Sequence, residues 1–451
     1  MLNNTSSYQL DPITKDTFKW VTDISVPTMF IKVGLMLILA ENVFHDLFHA
    51  LAFTPFSTRT IIGVHLWPSQ IWFIFLGNGI AAAMLFKHQF KIPARFKHGL
   101  PIIAVLTVYT LWTFYGIIRG NSGATGLFRE MVMEGLAFPG LLYMTFYIKI
   151  EEIFPFFLKA CLVVYTLLAF YNLFLKLIFP FPDMRVGLLL LAGFPYAYYL
   201  HKSIRNIGYL VPSLLLLMPA VVIVSKPLIA YMLALPLVLA IVLTSISQKQ
   251  KKYSVNTSTI KLFIVAILIL SAIIFAGWYI NEITNGRVMR LISDNFLKIR
   301  ATKSGELYMG DLSGGRTTIW ANAIEIWKEN KIFGSGLGTD VPIRSQTIAH
   351  IHNYYIQALM DTGLVGFSIL TIAWYTWYKR VFRNLRKLPW NNAKYLYSSF
   401  LTYIIGYFLY AIFGLPLFFS ASAYFFWMGV AFLTNYVPEE DAGNNKLETS
   451  N

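Results

Sequence analysis

Residues 313–366 read SGGRTTIWANAIEIWKENKIFGSGLGTDVPIRSQTIAHIHNYYIQALMDTGLVG. They close one long polar interruption in a chain whose remainder is apolar enough to sit in lipid. Arg316 stands four residues before Trp320, glycines follow at 334, 336 and 338, and His352 and Asn353 open an amphipathic run that leads into the next apolar segment. Apolar residues at 319, 320, 323, 324 and 327 recur at helical spacing, which predicts a helix over 317–328. The glycines predict a turn over 334–338. A second helix is expected from about residue 350 to 360, with His352 or Asn353 in its first turn.

Outward from this stretch, composition decides the class. Of 451 residues 56% are hydrophobic and only 13% charged, where a soluble domain carries about a quarter charged. Mean hydropathy is +0.57. This is the signature of an all-α polytopic membrane protein: one bundle of spans plus one extramembrane loop. The net charge of +15 is explained by Lys and Arg in cytoplasmic loops rather than by nucleic-acid binding. Cys161 is the single cysteine and lies in an apolar stretch, so neither an intrachain disulfide nor a cysteine metal site is available. The polar N-terminal segment lacks the basic start and apolar core of a cleaved signal.

A helical span needs roughly 20 mostly apolar residues. About 12 candidates fit, at 26–44, 62–86, 100–118, 131–148, 153–179, 186–200, 207–224, 228–246, 260–280, 364–377, 395–413 and 417–436. Basic clusters follow the even-numbered spans: Lys87, Lys91, Arg95 and Lys97; His201, Lys202 and Arg205; Lys249, Lys251 and Lys252; Lys379, Arg380, Arg383, Arg386 and Lys387. One orientation makes all of them cytoplasmic and both termini cytoplasmic, with the 281–363 loop on the opposite, periplasmic or extracellular side. The expected organisation is an N-terminal bundle over 1–280, the large loop over 281–363, further spans over 364–436 and a disordered cytoplasmic tail over 437–451.

Several residues on the loop side carry chemistry. A histidine at a helix N-terminus can serve as a general base in its neutral form, which the helix dipole favours; His352 has that position, as would a capping or surface histidine. Arg316 has the guanidinium that binds phosphate oxygens bidentately, or that anchors a loop. Arg185 and Lys226 fall at span edges on the same side, so one cationic site for an anionic substrate is compatible with the topology. Gly336 and Gly338 belong to a loop able to approach a phosphate, although GxGxG alone is a weak signal. Trp320, Trp327, Tyr354 and Tyr355 either stack on sugar rings or pack, and packing suits the tryptophans better. No Asp-x-Asp occurs in the outer loops, so the sequence does not indicate a metal–diphosphate site, and no cofactor motif is present.

The segments SGGRTTIW, FGSGLGT and HNYYIQALMDTGLVG together resemble the domain shared by bacterial O-antigen ligases and O-antigen polymerases. The motif resemblance spans about 55 residues, and the late large loop extends it over most of the chain. It implies a C-type glycosyltransferase-like fold in the bacterial inner membrane with its site on the periplasmic side. It also implies an inverting, metal-independent transfer of a glycan from undecaprenyl diphosphate to a sugar hydroxyl. The acceptor is lipid A–core for a ligase, or another lipid-linked glycan for a polymerase. His352 matches the family's essential histidine and Arg316 its loop arginine, which makes these two the expected catalytic residues. Arg185, Lys226, Asn353, Gly336, Gly338 and Tyr354 are the expected substrate-binding residues. Two departures stand out: GFPYA (193–197) replaces the family's asparagine-containing stretch, and Lys226 replaces an arginine, which keeps charge and loses bidentate geometry. A transporter or flippase of lipid-linked sugars is the alternative from another class. It would more often show internal repeats and mid-span charges, and neither is evident.

Overall fold

The computed structural model describes residues 25–49, 59–61, 64–66, 68–90, 92, 94–121, 137–148, 150–178, 186–203, 206–223, 299–301, 307–309, 316–343, 346–348, 351–389, 391–412 and 420–435. The described chain is mostly helical. In order come α1 (Ser25–His49), the ribbon β1 (Arg59–Ile61) and β2 (Val64–Leu66), the short α2 (Pro68–Ile71), a π-helical turn Trp72–Gly77 and α3 (Asn78–Lys87). A 3-10 turn Ala94–Gly99 leads into α4 (Leu100–Ile118), and a helical stretch covers 137–145. Next are α5 (Ile150–Ile178), α6 (Val186–Ser203) and α7 (Leu210–Ile223). The ribbon β3 (Ile299–Ala301) and β4 (Leu307–Met309) precedes α8 (Arg316–Glu329) and the ribbon β5 (Val341–Ile343) and β6 (Gln346–Ile348). The chain continues with α9 (Tyr354–Lys387), α10 (Asn392–Tyr410) and α11 (Ser420–Asn435).

Among the described residues four helices are long and apolar enough to cross a membrane: Val26–Val43, Phe96–Ile118, Ile150–Tyr171 and Tyr354–Lys387. The expected spans at 228–246 and 260–280 lie outside the described residues, as does the tail 437–451. The predominance of helix agrees with the all-α expectation. Three two-stranded antiparallel ribbons interrupt the helices, with Val341 opposite Ile348 in the last of them.

The bundle is organised around α6. Leu188, Leu189, Leu190, Leu191, Ala192 and Phe194 are all fully buried. A helix apolar on every side belongs in the middle of its neighbours, and α6 packs against α5, α7, α10 and α11. Phe194 stacks on Phe400 of α10 with centroids 3.9 Å apart, and Phe154 of α5 meets Phe400 edge-on at 4.6 Å.

Three boundaries differ from the sequence expectation. The 62–86 segment begins as the β1–β2 ribbon, and helix starts only at Pro68. Proline fits the first helical position because an amide there has no intrahelical partner. The segment expected at 364–377 is part of a 34-residue helix that already begins at Tyr354. It is broken at Gly363 (φ 61, ψ −169), whose conformation only glycine adopts without strain. The amides exposed by that break are taken up from outside the helix: Leu364 N–H donates to the Lys331 carbonyl (2.8 Å) and Val365 N–H to that of Ile332 (3.0 Å). Finally, α6 runs past residue 200, so His201 is not in a loop. It is fully buried, with Thr402 and Ser398 each 3.4 Å away. Arg380, Arg383, Arg386 and Lys387 likewise sit on the last turns of α9, where cations complement the helix dipole.

Candidate functional site

The site is built where α8, the glycine turn and the start of α9 converge on the end of α4. Helix α8 forms as its sequence spacing predicts. Its inward face, with Ala323 fully buried and Ile319, Trp320 and Trp327 beside it, packs on Val341, Ile351 and Met360 as a small core separate from the bundle's. The tryptophans are thus packing residues. Trp320 is also a tether, because its indole Nε1–H donates to the Ile351 carbonyl at 2.9 Å.

The turn over 334–338 is buried throughout. Glycines 334, 336 and 338 have φ values of 72°, 83° and 76°. The turn's amides are engaged within the protein: Gly334 with the Asn330 carbonyl, Ser335 with Met360, Gly336 with Asp361, and Leu337 with Trp112 of α4. Just after α4, the Asn121 side-chain amide reaches the carbonyls of Ser335, Gly336 and Leu337 and the Thr339 hydroxyl, at 3.0–3.2 Å. An added Cβ at Gly336 would lie 2.6 Å from Gly116 Cα. Residues 334–339 therefore form a clip that joins α4 to α9. The Gly336 amide, expected to face a phosphate, is turned into the protein, and Gly338 is buried in the same clip.

His352 occupies a turn held on both sides. It is exposed and left-handed, with φ 53°, a conformation that costs a non-glycine residue about 1–2 kcal/mol. The neighbours hold that conformation. Fully buried Ile351 gives its amide to Gln357 Oε1 (3.2 Å) and receives Trp320 at its carbonyl. Gln357 Nε2 in turn donates to Asp361 Oδ2 at 2.7 Å, inside α9. On the other side Asn353 is the N-cap of α9, its Oδ1 accepting from the amides of Tyr355 and Ile356 at 3.0 Å each. The Tyr354 amide donates to the Ala411 carbonyl at the end of α10 (2.8 Å). The side chain of Tyr354 is buried and its hydroxyl is engaged by that of Tyr109, which places it in the packing beneath the turn. Exposed Tyr355 donates its hydroxyl to the Phe408 carbonyl.

Of the expected site residues, Asn353 and Tyr354 directly follow His352 at the start of α9, whereas Gly336 meets α9 two turns further along, at Asp361, and Gly338 lies in the same clip. Arg316 is the first residue of α8. It lies four residues before Trp320, about 6 Å along the helix axis, and its side chain is outside the described residues. Arg185 and Lys226 lie outside the described residues.

Sequence reading missed Asn121, Tyr109, Gln357 and Asp361. Gln357 and Asp361 carried a signal, being polar partners four apart on an otherwise apolar helical face. Nothing in the sequence separates Asn121 from any other residue after a span.

No curated protein matches the chain. Residues 213–371 match the family model described as O-antigen ligase, a stretch that contains Arg316, the glycine clip and the His352 turn, and the chain thus carries a domain of the O-antigen ligase family.

Proposed function

We propose that the protein is an O-antigen ligase: an inverting, metal-independent glycosyltransferase that moves a glycan from undecaprenyl diphosphate to a sugar hydroxyl of lipid A–core. In this reading about 12 helices with a C-type glycosyltransferase-like fold span the bacterial inner membrane. The loop 281–363 and the His352 turn face the periplasm, and both termini are cytoplasmic. One observation carries the reading: an exposed histidine fixed in a left-handed turn by bonds to α8, α9 and α10, within a match to a ligase-family model. A surface histidine with no task has no reason to be held so firmly in a strained backbone.

The chemistry follows from the groups. His352 accepts the proton of the acceptor hydroxyl as its oxygen bonds to the anomeric carbon. The bond from that carbon to the diphosphate breaks on the opposite face, and the electron pair leaves with the diphosphate. Arg316, with Arg185 and Lys226, stabilises the charge that develops there. Asn353 fixes the helix start beneath the histidine, and Tyr354 forms the wall under it. Family membership supports lipid-linked glycan substrates, and the loop-side cations in the sequence support an anionic donor headgroup.

The test is transfer by the purified protein in detergent, given undecaprenyl-diphosphate glycan, with and without lipid A–core and with EDTA. Product that requires lipid A–core and withstands EDTA is expected. Longer lipid-linked chains without core would make the protein a polymerase instead. Full transfer by His352→Ala or Arg316→Ala would refute the role given to that residue.

A further inference from the structure

We infer that the turn Lys331–Phe333, between α8 and the glycine clip, is inserted in the membrane leaflet on the loop's side, with phospholipid acyl chains as its occupant. The observation begins with contrast. Over 316–353, Ile332 and Phe333 are the exposed large hydrophobic residues among the described residues, each 60% exposed. Ile319, Trp320, Ile326 and Trp327 pack against the small core, and Leu337 is buried in the bundle's. A segment that folds its apolar residues inward has no reason to present two neighbouring ones to water.

Continuity with the lipid-facing surface identifies the occupant. The carbonyls of Lys331 and Ile332 cap the amides of Leu364 and Val365 at the break in α9. The Phe333 carbonyl accepts from Trp112 Nε1 of α4 at 2.7 Å. The turn is therefore bonded to α9 at the start of its apolar stripe and to α4 within its own. On α9 the exposed stripe runs through Leu364, Val365, Ile369, Ile372 and Tyr375. On α4 it runs through Leu111, Phe114 and Ile118. Large apolar residues exposed at helical spacing on helices long enough to span are the lipid face of a bundle. Ile332 and Phe333 extend that face by one step beyond the break at Gly363. The polar surroundings fit a headgroup layer. Lys328, Lys331 and Arg119 supply cations for lipid phosphates, while Glu325 pairs with Lys328 at 2.7 Å and Glu329 remains on the same helix end.

The experiment measures depth directly and does not depend on which reaction the protein performs. Cys161, buried in α5, is replaced by alanine. Single cysteines are then introduced as Phe333→Cys and, as a control on the outward face of α8, Glu325→Cys. Each is labelled with bimane in full-length protein in vesicles of zwitterionic and anionic phospholipid. The label at 333 should be quenched more by lipids carrying a shallow nitroxide than by aqueous iodide, with blue-shifted emission, and the label at 325 should show the reverse order. Iodide quenching at 333 equal to that at 325 would overturn the inference. Protection of 333 from both quenchers would also overturn it, because a protein surface rather than lipid would then cover the turn. If Phe333→Cys does not fold, Ile332→Cys reads the same depth.

Discussion

Replacing Gly116 by alanine tests the joint between the membrane helix α4 and the glycine clip. In an isolated helix this change stabilises, by about 0.5–1 kcal/mol, because alanine loses less backbone entropy than glycine. Here the added methyl would sit 2.2 Å from the Leu337 carbonyl oxygen and 3.0 Å from its nitrogen. Both are backbone atoms, with no flexible end to swing away. The clip must retreat by more than an ångström. Leu337 N–H then loses the Trp112 carbonyl, and Asn121 loses its grip on Ser335, Gly336 and Leu337. One buried amide left unsatisfied costs about 1–3 kcal/mol, and the lost side-chain bonds add about 1. The loss exceeds the helix gain, so a net destabilisation of about 1–3 kcal/mol is expected. Gly79 is the control, since a Cβ there meets nothing within 4 Å. Thermal unfolding of the detergent-purified protein, followed by tryptophan fluorescence, should show Gly116→Ala melting lower and Gly79→Ala unchanged or higher. A Gly116→Ala protein as stable as its parent would refute the close approach of clip and helix.

Three further outcomes are expected. Asn353→Ala removes the acceptor for two α9 amides and should cost about 1 kcal/mol, seen as faster hydrogen exchange at Tyr355 and Ile356, with Asn353→Asp restoring most of the protection. His352→Gly should separate stability from activity: the left-handed turn is relieved of about 1 kcal/mol of strain, so unfolding temperature holds or rises, while transfer is lost. Burial, and secondarily the neighbouring Lys87, push His88 below its ordinary value of 6.5. The folded state therefore binds its proton less well than the unfolded chain. Its penalty is absent above about pH 6.5 and grows as pH falls through the window below it. Melting curves at about pH 7.5 and pH 5.5 should then diverge more for the parent than for His88→Gln.

The helices of the site were legible because each has one apolar face and a chemical start. The spacing of Ile319, Trp320, Ala323 and Trp327 gave α8, and the amphipathic run after His352 and Asn353 gave the start of α9 to within a few residues, without saying which of the two caps it. The role of the glycines was not legible. GxGxG states that the backbone turns left-handed, and not whether its amides face a ligand or the protein; only contact with Trp112 and Asp361 decides that. Hydropathy also blurred boundaries. The segment 62–86 is mostly apolar, yet its first residues belong to a ribbon and the helix waits for Pro68. His201 looked like one more basic loop residue because charge rules count residue types, while its burial against α10 is a property of packing between distant segments. Arg316 and His352 stood out for their chemistry. Gln357, which latches the Ile351 amide beside His352, looked like an ordinary polar residue of an amphipathic helix.

The bonds that hold the His352 turn come from far apart in the chain. Trp320 precedes it by 32 residues and Ala411 follows it by 59, yet both reach its immediate neighbours. During synthesis the histidine is therefore made after one of its supports and well before the other. The turn gains the Ala411 carbonyl only once α10 has been made and packed beside α9. The frame of the His352 turn is thus completed only with α10, and a nascent chain halted before α10 carries His352 without the contact that fixes the Tyr354 amide.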